Sequence, residues 1–86
     1  MINFLQAPRA GQSNPFRLSD PAVASSDVRV FFRADTGKLA QADVQVDAQG
    51  EGQGSVDFPA DFGSTATAHY QRGRLSSDDI GPFQLT

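Results

Sequence analysis

Val28-Arg29-Val30-Phe31-Phe32-Arg33, closed by Ala34-Asp35-Thr36-Gly37, is the most strand-like run in the chain. Successive strand side chains alternate faces, so Val28, Val30 and Phe32 point one way and Arg29, Phe31 and Arg33 the other. β-Branched and aromatic residues suit a pleated, half-buried surface. Asp35-Thr36-Gly37 supplies turn chemistry, with Gly37 free to take a positive φ. A second alternating run follows, Ala42-Asp43-Val44-Gln45-Val46-Asp47-Ala48. Ala42, Val44, Val46 and Ala48 share its apolar face, and Asp43, Gln45 and Asp47 its wet one. The two runs read as neighbouring antiparallel strands of a small all-β domain.

The same alternation recurs downstream. Ser55-Val56-Asp57-Phe58 sends Val56 and Phe58 inward, and Pro59 ends it. Thr65–Gln71 sends Ala66, Ala68 and Tyr70 inward and Thr67, His69 and Gln71 outward. Phe83–Thr86 reads as a closing strand. Phe62 reads as a buried ring within a turn, and Leu75 and Ile80 as apolar plugs in a loop. Gly50-Glu51-Gly52-Gln53-Gly54 lacks the spacing of a phosphate-binding loop and reads as a flexible hairpin loop. Strands about ten residues apart with turn signals between them indicate a sandwich or small barrel. No window holds a sustained helical period.

Upstream the pattern changes. Phe4-Leu5 and Phe16-Arg17-Leu18 are short apolar anchors around Ala7–Pro15, where two prolines and a glycine deny a helix. Residues 1–20 are therefore expected to form an extended N-terminal arm that docks on a neighbour, and residues 21–86 the β-sandwich domain. The competing reading makes the same residues a first strand and a long loop of the sandwich itself. Ser19-Asp20-Pro21-Ala22 has the chemistry to cap a single helical turn.

Composition narrows function. The 86 residues allow one domain. A single core of this size contributes only about 3–5 kcal/mol, which favours help from partners. There is no cysteine and one histidine, so disulfides and thiolate or histidine-rich metal sites are excluded. The net charge is −3 and the seven Lys and Arg are scattered, which argues against nucleic acid. Met1–Pro8 lacks the layout of a secretion signal. No apolar run approaches the ~20 residues of a membrane span.

Little in the chain suggests catalysis. His69 lies on an outer strand face with no nucleophile motif beside it. Asp43 and Asp47 stand about 13 Å apart along a strand, too far to share a proton. Asp78 and Asp79 lie in a loop without calcium-binding spacing. Arg33-Ala34-Asp35 reads as a local charge pair. No catalytic residue, metal or cofactor is expected.

From Val28 onward the order of features resembles fibronectin type III and related immunoglobulin-like modules. Val56-Asp57-Phe58-Pro59-Ala60-Asp61 is similar to that family's apolar-proline corner. Thr65–Tyr70, Gly73, Leu75-Ser76-Ser77 and Phe83–Thr86 are similar to its last hairpin. The early strand lacks a Trp, and no Tyr falls at the corner near Phe62 or Ala66. The resemblance implies a module that binds or builds.

The expectation is thus a small antiparallel β-sandwich, immunoglobulin- or fibronectin-III-like, acting as a non-enzymatic structural protein. Its concrete form is a bacteriophage virion component: a capsid decoration (cement) protein or a small tail or neck protein. Its partners would be protein subunits of a larger assembly, such as a major capsid protein, or further copies of itself. The expected interface residues are Phe4, Leu5, Phe16, Leu18, Arg29, Phe31, Arg33, Arg72 and Arg74. Phe31, an outward ring flanked by Arg29 and Arg33, is the expected anchor. The alternative is a carbohydrate- or peptide-binding module.

Overall fold

The computed structural model describes every residue from Met1 to Thr86. Its strands are β1 (Ile2–Phe4), β2 (Ser13–Ser19), β3 (Asp27–Ala34), β4 (Leu39–Gln45), β5 (Glu51–Asp57), β6 (Thr65–Arg72), β7 (Leu75–Ser76) and β8 (Ile80–Gln84). One antiparallel sheet has the order β1-β2-β5 and packs on a second, β4-β3-β6-β7, in which β8 also pairs with β6. The chain is a small all-β sandwich. A single 3-10 turn, Pro21–Val23, joins the sheets. Asp20 caps it by accepting from the Ala22 N–H at 2.9 Å, as the Asp-Pro pair foretells.

Alternation places the core as the sequence predicts in β3 and β6. Val28, Val30, Phe32 and Ala34 are buried from β3, and Ala66, Ala68 and Tyr70 from β6. Phe16 and Phe32 sit ring edge to face at 5.5 Å. Phe32 and Phe58 do the same, and Phe58 stacks on Phe62 at 4.4 Å. Each fully buried ring contributes about 2–3 kcal/mol through its burial alone.

Residues 1–20 are not an arm. β1 and β2 form two of the three strands of the first sheet, with Phe4 opposite Phe16 and Ile2 opposite Leu18. Ile2, Phe16 and Leu18 are buried in this chain's own core, and Phe4 packs against it. β2 survives a central proline because of hydrogen-bond parity. The bonds from Phe58 N–H to the Gln12 carbonyl and from Asp20 N–H to the Gly50 carbonyl show that even-numbered residues bond to β5. Pro15 therefore turns its missing donor toward β1, at the end of that ladder, where its carbonyl accepts from Leu5 N–H at 3.0 Å.

Asn14 ties down the loop between β1 and β2. It is 3% exposed. Its Oδ1 accepts from Arg9 N–H at 2.8 Å, and its Nδ2 donates to the Arg9 and Gln12 carbonyls, each at 2.9 Å.

The glycine run is a strand, not a loop. β5 lies against β4 across the sandwich so closely that a Cβ at Gly52 would stand 2.6 Å from Val44 Cγ1 and 2.8 Å from the Gln45 carbonyl oxygen. A Cβ at Gly54 would stand 2.8 Å from Val44 Cγ2. The side chains are absent because the opposite sheet fills their space. β4 also starts earlier than expected, at Leu39, so that Val46 and Asp47 lead into the bend toward β5.

Candidate interaction face

The outer face of the β4-β3-β6 sheet gathers aromatic, charged and amide side chains. It is built by register. Phe31 on β3 lies opposite Gln41 on β4 and His69 on β6. Arg29 lies between Asp43 and Gln71, and Arg33 between Leu39 and Thr67. Odd-numbered residues on these strands share one face because the ladders keep strict alternation.

At its centre Phe31 and His69 stack, with ring centroids 5.2 Å apart and planes 19° from parallel. His69 Nδ1 lies 4.0 Å from Asp79 Oδ1. Arg29 Nε donates to Asp43 Oδ1 at 3.0 Å; both side chains are exposed, so the pair adds under about 1 kcal/mol. Arg29, Phe31, Asp43 and Gln71 rim an open hollow in the sheet surface. Leu39 beside Arg33 is 72% exposed, the largest exposure of any large apolar residue in the chain.

Three of the expected interface residues, Arg29, Phe31 and Arg33, thus come together. The others do not. Phe16 and Leu18 are fully buried, and Phe4 is partly buried against the rings of Phe32, Phe58 and Phe83, so all three pack within this chain's own core. Leu5 is half exposed but follows β1 on the other sheet. Arg72 shares strand parity with Tyr70 and lines a small cleft with Asp20, Val23 and Leu75, away from Phe31. Arg74 occupies the β6–β7 turn. Leu75, expected as a plug, is exposed. Arg33 and Asp35 do not pair: Asp35 Oδ1 instead accepts from Ser64 N–H at 3.0 Å, holding the β5–β6 connection.

Sequence reasoning passed over Leu39 and the His69 stack. Leu39 shares its parity with Gln41 and Asp43, which marks it as outward once β4 is extended to include it. Nothing local signals the stack, because it depends on the β3–β6 register.

Behind the face, a bond between Tyr70 on β6 and Asp20 just after the end of β2 links the two sheets. Tyr70 Oη donates to Asp20 Oδ2 at 2.5 Å. Burial, reinforced by this bond and by the nearby carboxylate, pushes the Tyr70 phenol up to about 12. The same bond, aided by the Ala22 N–H, holds Asp20 below the usual carboxylate range. No group of three or more His, Asp or Glu residues is placed to hold a metal ion. No helix is long and apolar enough to cross a membrane.

Comparison of the chain with protein-family models, with curated proteins and with solved structures finds no match to any of them.

Proposed function

We propose that this chain is a non-enzymatic assembly module that binds a neighbouring protein through the outer face of β3, β4 and β6. One observation carries the reading. An aromatic stack, Phe31 on His69, occupies the middle of an open sheet face, with exposed Leu39 beside it and Arg29 and Arg33 around it. An apolar centre with a charged rim is the anatomy of a protein contact, and aromatic and Arg side chains are its usual anchors.

The strand order also supports the resemblance to immunoglobulin-like and fibronectin type III modules. β2 and β5, distant in sequence, are neighbours, as are β3 and β6, in the manner of Greek-key connections. The specific version we propose is a bacteriophage virion component, either a capsid decoration (cement) protein or a small tail or neck protein. A small sandwich that recognises through one face suits attachment to a repeating protein lattice.

Site-specific photo-crosslinking tests this. With a benzophenone side chain at Phe31 or Leu39, the expected product is a crosslink to a protein subunit of purified particles. The same probe at Arg17, on the outer face of the other sheet, should give none. Particles that never contain the chain, or equal crosslinking from all three positions, would refute the reading. A carbohydrate- or peptide-binding module is the alternative; glycan-array hits abolished by Phe31→Ala would establish it instead.

A further inference from the structure

We infer that β4 is a homotypic docking edge, through which a second copy of this chain pairs antiparallel about a two-fold axis at Ala42. The inference gives the assembly role a named partner and rests on that reading for its purpose. It concerns a different surface, the strand edge rather than the sheet face.

Hydrogen-bond parity defines the edge. Ala34 N–H bonds to the Lys38 carbonyl, and Val46 N–H to the Ser26 carbonyl. Even-numbered residues of β4 therefore face β3. The N–H and C=O groups of Leu39, Gln41 and Asp43 point away from the sheet, where β4 has no neighbour. Natural edges are usually blunted by proline, a bulge, a lysine or brevity. The other free edges of this sandwich are: β1 has three residues, β7 has two, and β8 carries Pro82. β5 is interrupted by Gly52 and Gly54, and its Glu51 N–H and C=O are already taken by Asp47. β4 runs seven residues without Pro, Gly or a bulge. Its adjacent lysine, Lys38, is engaged with Asp61 at 3.2 Å.

Side-chain complementarity selects the occupant. Pairing about Ala42 sets Gln41 opposite Asp43 of the second copy, and Asp43 opposite its Gln41. Each such pair exchanges both backbone bonds, and the Gln amide is a donor for a carboxylate. That carboxylate already carries Arg29 as counter-charge, so two acidic edges can approach. The inner-face partners, Ala40 with Val44 and Ala42 with Ala42, are small. The equivalent full-length pairing of β5 would set Glu51 against Asp57, two like charges. Near Gln45, β5 crosses close to the edge at Gly52, so the contact centres on Gln41 and Asp43. The result is one continuous sheet carrying two Phe31 faces side by side.

Sedimentation velocity from about 10 μM to about 1 mM covers weak association, with free energies of about −4 to −7 kcal/mol. The parent chain should shift from monomer toward dimer across that range. Gln41→Pro removes an N–H that no intrachain bond uses, so the sandwich should fold and stay monomeric. Amide exchange in the parent gives a second readout that does not depend on the variant. At Gln41 and Asp43 it should slow about tenfold at the high concentration, as edge amides become protected. A parent that stays monomeric with concentration-independent exchange at both positions overturns the inference. So does a dimer that Gln41→Pro leaves intact. Loss of dimer with face crosslinking retained would separate this inference from the face reading.

Discussion

Replacing Asn14 with leucine isolates one buried polar anchor. The side chain is similar in size, so the change tests hydrogen bonding rather than a cavity. It removes one acceptor bond, from Arg9 N–H, and two short donor bonds, to the Arg9 and Gln12 carbonyls, along with a longer contact of 3.5 Å to the Val56 carbonyl. Each intramolecular bond is worth about 1 kcal/mol net, and a buried group left unsatisfied costs about 1–3 kcal/mol. The loop backbone can turn partly to water, which relieves some of that penalty. The expected loss is about 2–3 kcal/mol, a large share of the 5–15 kcal/mol typical of domains. In a chain of this length that lowers Tm by roughly 10–20 °C. Asn14→Asp should be worse, because it keeps the acceptor but sets a buried charge against two carbonyl oxygens. The assay is urea unfolding of the three proteins followed by far-UV circular dichroism. A leucine variant within about 0.5 kcal/mol of the parent would refute the reasoning. It would mean that the loop from Gln6 to Gln12 is held by its other contacts. An aspartate variant more stable than the leucine one would refute the ranking.

Gly52→Ala should destabilise by about 1–3 kcal/mol, since its methyl would overlap Val44 and the Gln45 carbonyl, and Val44→Ala in the same chain should recover part of the loss by double-mutant analysis. The Tyr70–Asp20 bond gives a pH profile of known sign. Below pH 10 the phenol is neutral in both states and the bond contributes fully. Between pH 10 and about 12 the unfolded Tyr ionises while the folded one keeps its proton, so stability falls. Asp20, depressed in the folded chain, contributes above the ordinary Asp value of about 3.9 and loses that contribution as pH falls below it. Tyr70→Phe should flatten the alkaline limb of thermal melts recorded against pH, and an unchanged limb would show that other groups produce it.

β3 and β6 were legible because each carries a period-two pattern whose apolar positions, Val28, Val30, Phe32 and Ala34 on one and Ala66, Ala68 and Tyr70 on the other, are all core. β2 was obscured by its own composition: Asn14 is polar yet faces inward, and Pro15 forbids a bond that this strand position does not need. β5 was obscured because glycines at 50, 52 and 54 have no side chains to show alternation, although those at 52 and 54 lie at inward positions. The reason lies in Val44, a residue of another strand. The same limit applies to the candidate face. Phe31, Arg29 and Arg33 emerge from the parity of one strand, whereas the Phe31–His69 stack requires the pairing of two strands more than thirty residues apart. Phe16 and Leu18 are hidden from sequence reading in the same way, because their burial depends on strands distant in the chain: β5 beside them, and β3 opposite, where Phe32 meets Phe16.

The bare glycines of β5 and the rings near β1 and β8 fill the two margins of the sandwich in different ways. At the β4–β5 margin the layers are pinched until backbone meets Val44. Toward the opposite margin Phe4 and Phe83 meet at 5.0 Å as part of the aromatic filling that props the layers apart. The margin beside β4 has no slack: any side chain larger than hydrogen at position 52 or 54 must push β5 away from β4 or displace Val44. The separation of the two sheets along that flank is thus set by two positions that carry no side chain.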